Sequence, residues 1–235
     1  SEEALERARK VRRAIETGLS FHRQGDLRQA ADVYYLVLEL HTDQADALHL
    51  LGLISYQSGE PDAALRLVAR AISSDPENAV FHISQGDILQ ALGRLPDAVE
   101  AYRQGLALDP ELPEGFNNCG NALHAQDKLG EAAGFYQHAI AIKPDYSAAH
   151  NNLGNVLRDQ GRIEDSIASF ETALCYAPDY ATVHNNLGNA LRDAGRVTEA
   201  ISSHRRALML EPDFAEAHFN LGNALSEAAI LDEAA

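Results

Sequence analysis

The chain has 235 residues, 46% of them apolar, with 19 Lys plus Arg against 35 Asp plus Glu, a net charge of −16. That length and apolar content exclude a disordered chain and suit one sizeable domain. The acidity argues against nucleic acid and acidic membrane surfaces as partners, since both are held by basic patches.

No apolar run approaches the roughly 18 residues of a membrane-spanning helix. The opening SEEALERARK is charged, unlike a signal peptide. Cys119 and Cys175, two thiols far apart, do not form a disulfide framework. A reducing, cytoplasmic setting is the expectation.

Residues 1–10 read as a helical extension running into the first of a series of units. The units are 11–44, 45–78, 79–112, 113–146, 147–180, 181–214 and a partial 215–235. Glycine sets the 34-residue ruler: Gly18, Gly52, Gly86, Gly120, Gly154, Gly188 and Gly222. Pro76, Pro110, Pro144, Pro178 and Pro212 follow it, as do Ala30, Ala64, Ala98, Ala132, Ser166, Ala200 and Ala234. Tyr34, Tyr102, Tyr136 and Phe170 mark an aromatic position, where Val68 and His204 are exceptions. A fixed period of this length is the signature of a repeat architecture.

Each unit predicts two helices. In 147–180, SAAHNNLGNVLRDQ is the first, ended by Gly161, and IEDSIASFETALCYA is the second, ended by Pro178. Ala148, Leu153, Leu157, Ile167, Phe170 and Leu174 have apolar-stripe spacing. A helical glycine at every repeat, at about 1 kcal/mol each, predicts two helices in close approach. Pro61 and Pro96 fall in first helical turns, where proline is tolerated. The last unit is expected to stop just inside its second helix, as in a piece cut from a longer protein. Leu221, Leu225, Ile230 and Leu231 would then lack part of their cover and invite self-association.

The pattern resembles the tetratricopeptide repeat over residues 11–235. Matching positions of the repeat are a large residue at 4, Leu at 7, Gly at 8, Ala at 20, an aromatic at 24, Ala at 27 and Pro at 32. Departures include Gln85 and Cys119 at position 7, Gly105 at 27 and Thr42 at 32, with His82, His150, His184 and His218 at position 4. The resemblance implies an all-α fold, a right-handed superhelix (α-solenoid) of helix-turn-helix repeats. It also implies that first helices line a concave groove, with positions 2, 5, 9 and 12 inward.

Asparagine then stands out. NNLGNVLRDQGR at 151–162 returns as NNLGNALRDAGR at 185–196. Position 5 holds Asn117, Asn151 and Asn185; position 6 holds Asn118, Asn152, Asn186 and Asn220; position 9 holds Asn121, Asn155, Asn189 and Asn223. Asparagine is roughly 0.5 kcal/mol per residue worse than alanine in a helix, so its recurrence asks for a use. The earlier units lack the ladder and carry Ile15, Leu19, His49, Leu53 and Tyr56 instead. An amide offers both donor and acceptor and can pair with a peptide backbone whatever its side chains. With helices ~8–10 Å apart and an extended peptide rising about 3.3 Å per residue, successive rungs meet roughly every third peptide residue. The alternatives are idle copies left by duplication, or a structural role in which position 6 bonds between adjacent units. Arg158 and Arg192 at position 12 could reach an acidic ligand or pair with Asp159 and Asp193.

Ten histidines raise a metal site, but no His/Cys/carboxylate group has short ligand spacing. No phosphate loop or nucleophile motif appears, so neither cofactor nor metal is expected and no catalytic site lies in these residues. The amide ladder is also similar to the N-terminal arm of bacterial O-linked N-acetylglucosamine transferase-like proteins. That resemblance implies Asn118, Asn152, Asn186 and Asn220 as ladder positions, with a glycosyltransferase domain elsewhere. Chaperone-binding carboxylate clamps are similar at positions 6 and 9 but need Lys at 5, where this chain has Asn. Two readings follow: a scaffold that binds extended polypeptide, or the substrate-selecting arm of a glycosyltransferase.

Overall fold

The computed structural model describes the backbone of residues 2–233 and the side chains of residues 2 and 5–230. The chain divides into two compact units, Ser1–Glu111 and Leu112–Ala235. The first holds α1 (Glu2–Arg23), α2 (Leu27–Leu40), α3 (Ala45–Gln57), α4 (Pro61–Ser74), α5 (Ala79–Ala91) and α6 (Leu95–Leu108). The second holds α7 (Pro113–His124), α8 (Leu129–Ile142), α9 (Ser147–Asp159), α10 (Ile163–Tyr176), α11 (Ala181–Asp193), α12 (Val197–Leu210) and α13 (Ala215–Glu233). No strand occurs among the described residues. From α3 onward every first helix begins where its 34-residue unit begins. Each unit is therefore a solenoid of stacked helix hairpins.

Local chemistry sets the helix ends. Gly25, Gly59, Gly93, Gly161 and Gly195 turn between paired helices at positive φ of 72–80°. Asp127 takes the same place at φ 58°, the one described non-glycine there. Asp26 and Gln44 cap α2 and α3 by accepting from the Gln29 and Ala47 backbone N–H groups. Pro61, Pro96 and Pro113 lie in first turns.

Packing explains the ruler. The position-24 residues Tyr34, Val68, Tyr102, Tyr136, Phe170 and His204 are all fully buried, as are Ala30, Ala64, Ala98, Ala132, Ser166 and Ala200 at position 20. A methyl group on Gly120 or Gly154 would lie 2.6 Å from the Tyr136 or Phe170 ring. The glycine is what lets paired helices close, as the sequence predicts. Ser166, standing where other repeats have alanine, satisfies its hydroxyl by donating to the Gly154 carbonyl at 2.7 Å.

The last unit departs from expectation. A turn and second helix were predicted after residue 228, but α13 runs unbroken to Glu233. Ala229 occupies the position where other units place glycine or Asp127, and alanine favours continued helix. On α13, Leu225 and Ile230 are exposed, Phe219 is more so, and Leu221 is half-buried. The side chain of Leu231 lies outside the described residues. No described helix is long and apolar enough to cross a membrane.

Candidate functional site: an amide face in the second unit

In the second unit the first helices α7, α9, α11 and α13 approach one another side by side, while α8, α10 and α12 do not. The asparagines sit on this layer and fall into two groups with different partners.

Positions 5 and 6 clasp neighbouring repeats. Asn152 Nδ2 donates to Asn117 Oδ1 at 3.0 Å, Asn186 Nδ2 to Asn151 Oδ1 at 3.0 Å, and Asn220 Nδ2 to Asn185 Oδ1 at 3.1 Å. Each bond joins position 6 to position 5 of the preceding repeat. The doublets are also tied within themselves: Asn117 donates to Asn118 at 3.4 Å and Asn151 to Asn152 at 3.2 Å. Asn152 donates further to Asn121 Oδ1 at 3.0 Å, and Asn185 donates to Glu216 at 3.0 Å. Asn117, Asn151, Asn185 and Asn220 are consequently buried, whereas Asn118, Asn152 and Asn186 are half-buried. Position 5, expected to face a groove, is instead covered by the next repeat's position 6. The structural role weighed from the sequence is thus present for these residues.

Position 12 reaches position 13 of the next repeat in the same way. His124 meets Asp159 at 2.7 Å, and Arg158 Nε meets Asp193 at 3.1 Å. Arg158 and Arg192 are both half-buried, and Arg192 makes no ion pair among the described residues. The first unit repeats both connections with other residues: His49 to Ser84 at 2.9 Å and His22 to Gln57 at 3.0 Å.

Position 9 behaves differently, because where position 24 is Tyr136 or Tyr102 that hydroxyl donates to it within its own hairpin. Tyr136 donates to Asn121 Oδ1 at 2.8 Å, and in the first unit Tyr102 donates to Asp87 at 2.7 Å. Phe170 has no hydroxyl to offer Asn155, which makes no hydrogen bond among the described residues. His204 turns elsewhere: its Nδ1 donates to Asn185 Oδ1 at 3.1 Å. Asn189 Oδ1 and His204 Nε2 are left buried without partners. Burial, with a smaller contribution from Arg192, lowers the His204 pKa to about 4. Asn223 is exposed.

The position-4 histidines answer a question the sequence left open. Nε2 of His82, His150, His184 and His218 donates to the carbonyl of Pro76, Pro144, Pro178 and Pro212 at 2.8–3.0 Å. They hold down the loop entering each first helix. No group of three or more His, Cys, Asp or Glu converges as metal ligands among the described residues.

Stacked helix hairpins of fixed length, clasped repeat to repeat along one helix layer, define a helical-repeat protein. The TPR repeat profile matches residues 86–127, 120–158, 154–192 and 188–227, and a second tetratricopeptide repeat profile matches 21–88. The chain belongs to the tetratricopeptide-repeat family. Among solved structures it is similar to MamA, with 25% identity over 70% of this chain and 96% of that one, at a TM-score of 0.65. It is similar to Pseudomonas aeruginosa pilF, at 18% identity over 93% and 99% with a TM-score of 0.82. It is also similar to YrrB, a TPR protein with an unusual peptide-binding site, at 17% identity over 80% and 97% with a TM-score of 0.66. No curated protein matches the chain.

Proposed function

We propose that the chain is a protein–protein interaction scaffold whose second unit holds an extended polypeptide against α7, α9, α11 and α13. One observation carries this reading. The clasping amides of positions 5 and 6 tie successive first helices together at one-repeat intervals, and with them the spacing of the position-9 amides. A face already ordered loses little freedom when it receives a ligand, and an amide pairs with backbone of any sequence. Asn121, Asn155, Asn189 and Asn223 form its reading line, with Arg158 and Arg192 one turn further along the same helices. YrrB carries a peptide-binding site on the same fold, which supports the reading by analogy.

The test is direct. A peptide selected from a displayed library of random twelve-residue sequences, carrying a spin label, should broaden backbone amide signals of α9 and α11. Signals of α10 and α12, one helix layer further away, should broaden less. Broadening confined to the second helices, or no binder at all, refutes the proposal.

As the substrate-selecting arm of an O-linked N-acetylglucosamine transferase-like enzyme, the chain would use this same face. Only the resemblance of the repeated amide pattern supports that alternative, since Asn152, Asn186 and Asn220 at position 6 are engaged in the clasp. Transfer of N-acetylglucosamine to a bound peptide by the full-length protein would establish it, and a full-length protein without transfer would remove it. We also propose that Phe219, Leu225 and Ile230 on α13 mediate contact with a second copy. Sedimentation that stays monomeric at high concentration refutes that contact.

A further inference from the structure

We propose that, among the position-9 amides packed against α8, α10 and α12, accepting from a peptide N–H is confined to Asn155 and Asn189, because the residue at position 24 decides whether the amide oxygen is free to turn outward. This rests on the scaffold reading above and sharpens it.

Where position 24 is tyrosine, its buried hydroxyl donates into the position-9 side chain. Tyr136 does so to Asn121 Oδ1 at 2.8 Å, and Asn152 donates to the same oxygen at 3.0 Å. That acceptor is fully engaged and the amide plane is fixed. Asn121 can still donate to a peptide carbonyl, but it cannot accept from a peptide N–H.

Phe170 has the same pose as Tyr136. A methyl group on Gly154 or on Gly120 would lie 2.6 Å from the respective ring Cε1. Only the hydroxyl differs, and Asn155 accordingly has no hydrogen-bond partner among the described residues. In the next repeat His204 is too short to stand in for tyrosine and bonds Asn185 instead. Asn189, only 9% exposed, keeps an oxygen that is buried without a partner. Buried polar atoms in native proteins are almost always paired, so an unpaired one points to a missing partner. Rotation of the Asn189 amide would turn that oxygen outward to accept a peptide N–H.

Asn155 and Asn189 belong to consecutive repeats, on α9 and α11. Together they offer two acceptors, and from Asn155 a donor as well, to one extended strand. The ligand chemistry is therefore a polypeptide backbone, with at least two peptide units bare of proline where it crosses these helices.

The experiment uses the full chain and one peptide from the random twelve-residue library, with affinities measured by titration calorimetry. Phe170→Tyr should restore the lock and weaken binding about tenfold, the scale of one lost hydrogen bond. Asn155→Ala should weaken it similarly, and Tyr136→Phe should leave it within about twofold. A scan of single N-methyl groups along the peptide should find one position that costs affinity against the unchanged protein and costs nothing further against Phe170→Tyr. Helical circular dichroism and melting confirm that Phe170→Tyr folds. Should it not fold, Asn155→Ala with the N-methyl scan carries the decision alone. A peptide that broadens α9 and α11 yet binds Phe170→Tyr and Asn155→Ala as tightly as the unchanged protein overturns this inference and leaves the scaffold standing. A library that yields no binder overturns both.

Discussion

Replacing Asn152 by alanine separates clasp from ligand contact. Asn152 donates to Asn117 Oδ1 and Asn121 Oδ1, both at 3.0 Å, and accepts from Asn151 at 3.2 Å. Asn121 keeps its bond from Tyr136, so its loss is small. Asn117 Oδ1 and Asn151 Nδ2, on residues 5% and 6% exposed, lose their partners. Each buried group left unpaired costs about 1–3 kcal/mol. Alanine returns about 0.5 kcal/mol of helix propensity. The balance is a loss of about 1.5–5.5 kcal/mol, concentrated at the junction of α7 with α9.

Urea denaturation measures the total. Hydrogen exchange along α7 and α9 localises it, which matters because repeat arrays need not unfold as one cooperative unit. Asn155→Ala is the control: same residue type, same helix, three residues on, with no hydrogen bond to lose among the described residues. It should be neutral or more stable by about 0.5 kcal/mol. Equal stabilities for the two variants would refute the clasp and return Asn152 to the ligand-facing set.

Gly120→Ala should destabilise by about 1–3 kcal/mol through overpacking, since the new methyl meets the buried Tyr136 ring at 2.6 Å. Gly134→Ala, on α8 with nothing within 4 Å, should instead stabilise by about 1 kcal/mol in the same melting assay. Tyr136→Phe should cost about 1 kcal/mol by removing the bond to Asn121, whereas Tyr34→Phe should be neutral or stabilising, because the Tyr34 hydroxyl is buried without a partner. Acid should weaken the fold through His204, whose pKa falls from 6.5 to about 4 on burial. The unfolded chain binds the proton first, so stability is complete above pH 6.5 and declines as pH falls toward 4. His204→Phe should flatten that decline in urea titrations at stepped pH, leaving the part due to His49, also lowered to about 4 by burial.

The helix pairs were legible because their signals are local and recur. Glycine at position 8, the position-24 ring and the turn glycine each act within one hairpin, so a 34-residue ruler exposes them. Where the turn signal fails, at Ala229, the structure fails to turn, so the rule holds while the expectation of another hairpin does not. The partners of the asparagines were not legible in the same way. An NN doublet reads as two neighbouring ligand contacts, yet its members bond across repeats, 35 residues apart.

A signal for that spacing did exist. Position 5 of one repeat and position 6 of the next match in character inside each unit: Ile15 with Leu50, His49 with Ser84, Asn117 with Asn152, Asn151 with Asn186 and Asn185 with Asn220. Positions 9 and 24 match similarly, with Leu53 beside Val68, Asp87 beside Tyr102 and Asn121 beside Tyr136. Against that pairing Leu19 with Tyr34, Asn155 with Phe170 and Asn189 with His204 are the mismatches; the last two involve amides and fall in consecutive repeats. A mismatch that persists leaves an amide without its internal partner at a standing cost in stability. A bound strand that supplied the missing partner would remove that cost, and so would bind most favourably at the two repeats where an amide lacks its internal partner.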